Sequence, residues 1–157
     1  MDNYRGIAVG SVFGKLFSLC LLQRLDDWAE QFELRAQGQF GFRRERGTLE
    51  ASFVLHTMID EYRYNKRPLF VAFVDFRKAY DCVSRKALWE CLSRIGVSDA
   101  YLQVLKSMYD VVTLRVRSSG MTGYEFLSKV GVKQGVPLSP FLFGLFIDRI
   151  EGFFRSE

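Results

Sequence analysis

FVAFVDFRKAYDCVSR, residues 70–85, decides how the rest of this chain is arranged. Residues 71–74 are a short β-branched and aromatic run between Pro68 and a charged segment, and that pattern predicts a buried strand. The strand carries Asp75 to its end. An ionised carboxylate buried there alone costs on the order of several kcal/mol, so Asp75 needs a cation or a dense set of donors. A divalent metal ion is the strongest such partner. The other reading makes Asp75 a cap for the turn, paired with Arg77 or Lys78.

Outward from that stretch, a second segment stands out: GVKQGVPLSP, residues 131–140. With it the sequence resembles the reverse transcriptase domain of non-LTR retrotransposons, relatives of the group II intron enzymes. FVDFRKAYDCV is similar to that family's motif A and GVKQGVPLSPFLF to its motif B. NYRGI at residues 3–7 and QFGFRRERGTLEA at residues 39–51 agree with two further motifs, in the family's order. Four segments in register span nearly the whole chain.

The resemblance implies an α+β fold, a partial right-hand polymerase with an antiparallel palm sheet packed on helices. Residues 1–69 are then mainly fingers and 70–157 mainly palm. It implies an RNA-directed DNA polymerase whose partners are an RNA template, a DNA primer and deoxynucleoside triphosphates. Asp75 is the matching catalytic carboxylate, and with the backbone carbonyl of Phe76 it holds the nucleotide-side metal. The expected cofactor is Mg2+, two ions in a complete enzyme, because magnesium takes hard oxygen ligands and keeps positions open for phosphates.

The same resemblance places Tyr80 under the incoming sugar, where a ring excludes a 2′-hydroxyl by bulk. Gln134 then lies near that sugar, and Gly135 lets backbone approach the base for want of a Cβ. Arg5 inherits a triphosphate contact suited to its planar fork. Asp81 reads as a local cap, and Asp148 as structural.

Residues 37–48 are loop-like, with three glycines, and Arg35, Arg43, Arg44 and Arg46 cluster around them. Phe42 among Arg43, Arg44 and Arg46 has the composition of a nucleic-acid contact, charge for phosphate and a flat face for stacking. A solvated charge run is the rival account.

The chain has 157 residues, 48% of them hydrophobic, and a net charge of +4, a balance that favours a polyanionic partner. Cys20, Cys82 and Cys91 have no CxxC spacing and read as reduced core residues, which points to an intracellular compartment. For a retrotransposon that compartment includes the nucleus. His56, the only histidine, takes no role. Residues 13–22 and 141–147 are too short and interrupted to span a bilayer, so no membrane partner is expected.

In chain order, residues 11–32 read as an amphipathic helix with Val12, Leu16, Leu19, Leu22 and Leu25 on its apolar side. Thr48 reads as the cap of a helix to about residue 64, with Leu49, Phe53, Met58 and Tyr62 on its apolar face. Ser84 and Ser98 cap two more helices, 85–95 and 99–109, separated by Gly96. Residues 111–117 and 124–130 form a β-hairpin, and Ser139 with Pro140 opens a last helix.

One departure from the family concerns chemistry. Its third catalytic motif places two adjacent aspartates after an aromatic, yet no Asp-Asp follows Tyr101, and Asp26-Asp27 lies in the first helix. Those missing carboxylates predict that the 157-residue polypeptide is a fragment that does not polymerise alone. A second class of function stays open, a non-catalytic nucleic-acid-binding remnant of a decayed element.

Overall fold

A computed structural model describes residues 8–133 and 135–150. Six helices and one hairpin follow in the order α1 (Val12–Gln31), α2 (Thr48–Tyr64), α3 (Ala79–Cys82), α4 (Arg85–Arg94), α5 (Asp99–Asp110), β1 (Thr113–Ser118), β2 (Met121–Leu127) and α6 (Leu138–Ile147). The fold mixes helices with a small two-stranded antiparallel sheet.

The core forms where α6 packs against α1 and α4, and α4 against α5. Helix α6 is apolar on nearly every side, the signature of a helix surrounded by protein. Leu138, Phe141, Leu142 and Leu145 are buried in it, against Leu88 and Leu92 of α4, Leu105 of α5, and Leu25 and Ala29 of α1. Each fully buried leucine contributes about 1.5–3 kcal/mol. The Tyr101 hydroxyl also donates to the Leu21 carbonyl at 2.6 Å, tying α5 to α1.

The predicted caps hold for α4 and α5. Ser84 Oγ accepts from the Ala87 N–H and Ser98 Oγ from the Tyr101 N–H, each at 3.4 Å. Between the two helices Gly96 takes φ +97°, a left-handed stop that glycine adopts without a Cβ penalty. The hairpin turns through Ser119 and Gly120, both at positive φ, with Ser118 paired to Met121. That is the two-residue geometry whose twist matches the strands, so β2 starts three residues earlier than the sequence pattern predicts.

Four expectations are corrected. Residues 70–76 form no strand: they carry no regular secondary structure and are exposed, with Phe70 and Phe73 at 90% and 85% exposure. A strand is stabilised by the strand beside it, and among the described residues β1 and β2 pair only with each other. In α1 the buried face is Ser18, Leu21, Leu25, Asp26 and Ala29, while Val12, Leu16 and Leu19 are exposed. Helix α6 begins at Leu138, so Ser139 is a buried helical residue rather than a cap, its hydroxyl 3.3 Å from that of Tyr109. Only Cys91 of the three cysteines is buried.

A fifth correction falls at α2: Thr48 is its first helical residue rather than its cap, the cap residue is Gly47, and the Glu50 carboxylate accepts the Gly47 N–H at 2.8 Å. None of its described side chains is buried, Leu49, Phe53 and Met58 included. No described helix is long and apolar enough to cross a membrane.

Candidate functional site

The two motif segments meet backbone to backbone. The exposed residues Asp75 and Phe76 lead through Lys78, in a left-handed conformation at φ +48°, into the single turn of α3. The Val83 carbonyl then accepts the Gly131 N–H at 2.9 Å, and the Tyr80 carbonyl accepts the Val132 N–H at 2.9 Å. A side chain at 131 has no room. A Cβ there would lie 2.7 Å from the Tyr80 oxygen and 2.9 Å from both Asp81 Cα and the Asp81 oxygen, and φ is +81°. Glycine at 131 is therefore a condition of the junction.

The Tyr80 ring stacks on Phe143 of α6, with centroids 5.1 Å apart and planes 25° from parallel. Burial pushes its hydroxyl pKa up, so the phenol stays protonated. The turn continues through Lys133, whose ammonium donates to the Met108 carbonyl at 3.2 Å and sits over the Tyr109 ring. Gly135 is exposed, at φ +91°. Gln134 and Arg5 lie outside the described residues.

Among the described residues no three His, Cys, Asp or Glu side chains come together to hold a metal ion. Asp26 and Asp27 are engaged elsewhere: Arg44 reaches the Asp26 carboxylate at 2.8 Å with Nε and Asp27 at 2.9 Å with Nη1.

The basic loop is largely committed to the protein itself. Arg43 forks onto Glu30, with Nε and Nη2 at 2.8 and 2.7 Å, and gives Nη1 to the Ala36 carbonyl at 3.0 Å. Arg46 donates to the Gln37 carbonyl and lies over the Phe40 ring. Phe42 is exposed at φ +53°, and the Arg44 side chain remains 58% exposed.

The Arg43 hydrogen bonds hold the Glu30 carboxyl below its usual range against opposing burial. The unfolded chain then binds more protons than the native one, so this stabilisation is present above the unfolded glutamate value and fades as pH falls through the folded one. Glu30→Gln is expected to cost about 1–2 kcal/mol at pH 7. Urea titrations at pH 7 and pH 3 check this, and the gap between variant and parent should close at the lower pH.

Beneath the loop, Arg35 is buried between two elements. Its Nε donates to Asp148 at 3.2 Å, Nη1 lies 4.0 Å from Asp26, and its guanidinium rests on the Phe141 ring. A Cβ at Gly144 would come within 2.9 Å of Arg35 Nη2. Burial raises the pKa of Asp26 and of Asp148, against the lowering effect of the nearby arginines. The sequence groups Arg35 with the arginines of the basic loop, since nothing local marks a residue whose partner lies 113 positions away. The reading of Asp148 as structural agrees with this pairing.

An acid-bearing segment bonded through its backbone to a glycine turn, on a helical core, fits the family that the sequence comparison identifies. The chain belongs to the reverse transcriptase (RNA-dependent DNA polymerase) family, whose model matches residues 1–157. It is a reverse transcriptase domain of the non-LTR retrotransposon type. It is 32% identical, over 95% of its length, to the retrovirus-related Pol polyprotein from type-1 retrotransposable element R2 of Popillia japonica, and covers 20% of that protein. It is 30% identical, over 93% of its length, to the RNA-directed DNA polymerase from mobile element jockey of Drosophila melanogaster, covering 16%. The R2DM polyprotein of Drosophila melanogaster is 26% identical over 99% of the chain, which covers 14% of it. The chain thus spans a fifth or less of these relatives.

Proposed function

We propose that this chain supplies the nucleotide-binding part of an RNA-directed DNA polymerase, with residues 1–69 mainly fingers and 70–157 mainly palm. The observation that carries the reading is the junction at Gly131, where backbone bonds to Val83 and Tyr80 set motif B beside motif A. In that frame Tyr80 forms the floor under the sugar, and Phe143 keeps its ring from rotating away. Gly135 gives the base close access to backbone, while Gln134 and Arg5 address the sugar and the triphosphate.

Magnesium, as two ions, is the cofactor that this chemistry uses to neutralise the charge that develops on phosphate. The described residues do not fit a magnesium pair as they stand, since no three His, Cys, Asp or Glu side chains among them come together to hold a metal ion. Asp75 and the Phe76 carbonyl are one share of a ligand set that a longer protein completes. Template RNA and primer DNA are the proposed polyanions. For them Phe42 and Arg44 offer more free surface than Arg46, which bonds the Gln37 carbonyl, or Arg43, whose fork Glu30 occupies.

A graft tests the reading: residues 1–157 replace the matching stretch of the Popillia japonica R2 polyprotein, and primer extension is followed on an RNA template. Tyr80→Ala should relax the exclusion of ribonucleotides by about 10-fold or more, because an excluded volume is opened. Unchanged sugar selection in that variant would remove Tyr80 from the site and the nucleotide reading with it.

A further inference from the structure

We propose that Arg85 is the positioning residue of the turn at Gly131 and Val132, holding two successive peptide planes from the side opposite Tyr80 and Val83. The peptide between Val130 and Gly131 donates its N–H to the Val83 carbonyl at 2.9 Å, and its own carbonyl accepts Arg85 Nη2 at 3.3 Å. The next peptide, Gly131 to Val132, donates its N–H to the Tyr80 carbonyl at 2.9 Å, and its carbonyl accepts Arg85 Nε at 2.9 Å. Each plane is gripped at both edges. Neither can rotate without breaking a bond to Tyr80 or Val83 and a bond to Arg85, so the course of the chain through Gly131 and Val132 is set here.

The same guanidinium reaches further. Nη1 donates to the Tyr109 carbonyl in the last turn of α5 at 2.9 Å, and Nη2 to Ser128 Oγ at 3.3 Å on the segment leaving β2. A planar fork fixes these acceptors relative to one another, which a single ammonium cannot do. These bonds all go to carbonyl and hydroxyl oxygens, one of them at the negative end of a helix, and the guanidinium carbon lies 5.4 Å from the centre of the Tyr109 ring. Arg85 thereby joins the hairpin, α5 and motif A to one loop. It acts on nucleotide only through the turn, and that part of the inference rests on the polymerase reading.

Amide hydrogen exchange of the 157-residue chain, resolved by NMR, tests the clamp. In Arg85→Ala the Gly131 and Val132 amides should exchange faster by on the order of 10- to 100-fold, while the core amides of Leu92 and Leu105 change by less than about 3-fold. Arg85→Lys keeps the charge without the fork and should fall between Arg85→Ala and the parent. If Arg85→Ala does not fold, Arg85→Lys decides by the same comparison. Parent-like rates at Gly131 and Val132 would overturn the proposal. So would acceleration shared equally with Leu92 and Leu105, which would make Arg85 a general prop of the fold. Failure of the nucleotide reading shows separately, as unchanged sugar selection in the Tyr80→Ala graft, and leaves these exchange rates where they are.

Discussion

Asp75→Ala should abolish primer extension by the grafted polymerase, a loss of at least about 10^3-fold, since each 1.4 kcal/mol of lost transition-state stabilisation is tenfold in rate. The same substitution should leave the melting temperature of the 157-residue chain within about 2 °C of the parent. Both halves follow from where the side chain stands. Asp75 is exposed, at the end of an irregular segment whose side chains lie outside the core, so the fold has little to lose. On the proposed polymerase reading, its value is to the transfer reaction rather than to the fold. A graft that extends primers without this carboxylate would remove the proposed ligand. A large fall in melting temperature would instead make Asp75 the cap paired with Arg77 or Lys78, the rival reading of its sequence context.

The largest stability effect is expected at Arg35→Met. The substitution keeps volume against Phe141 but leaves Asp26 and Asp148 facing the interior without their shared cation. Removing one partner of a buried ionic set costs about 3–5 kcal/mol, because a desolvated charge remains. Loss of Arg35 lifts both carboxyl pKa values further above their already raised positions. The native state then binds more protons than the unfolded chain between the ordinary aspartate value and the raised ones, so stability falls as pH rises across that window. Chemical denaturation should show a modest deficit near pH 4 and the full one at pH 7. An equal deficit at both values would mean that packing on Phe141, rather than charge, is what Arg35 supplies.

Local signals in the sequence were enough for some elements. The caps at Ser84 and Ser98 and the stop at Gly96 each depend on a few neighbouring residues and stand where the pattern predicts them, and the hairpin forms too, with its second strand shifted three residues towards the turn. Elements that depend on distant partners were not legible. Residues 70–76 have the composition of a strand, but composition cannot supply the neighbour that makes a ladder. The face that α1 buries is chosen by α6, more than a hundred residues later, and so falls on Leu21, Leu25 and Ala29 instead of the stripe through Leu16 and Leu19.

The candidate site divides in the same way. Family-like spacing brings Asp75, Tyr80 and the 131–140 segment to attention. What joins them is made of main-chain atoms and one arginine, which carry no motif of their own. The same holds for the basic loop, where Glu30 determines that Arg43 serves the fold.

The pairing of Arg35 with Asp148 also dictates an order of events on the ribosome. At roughly 5–20 residues per second, about 6 to 23 s separate the synthesis of the two side chains. Throughout that interval the nascent arginine has at most Asp26 for company and stays hydrated, so the first third of the polypeptide emerges well before the helix that will enclose it. Arrival of Asp148 is therefore a late locking event of folding, and a translational pause between the two codons would prolong the open state without altering a single native contact.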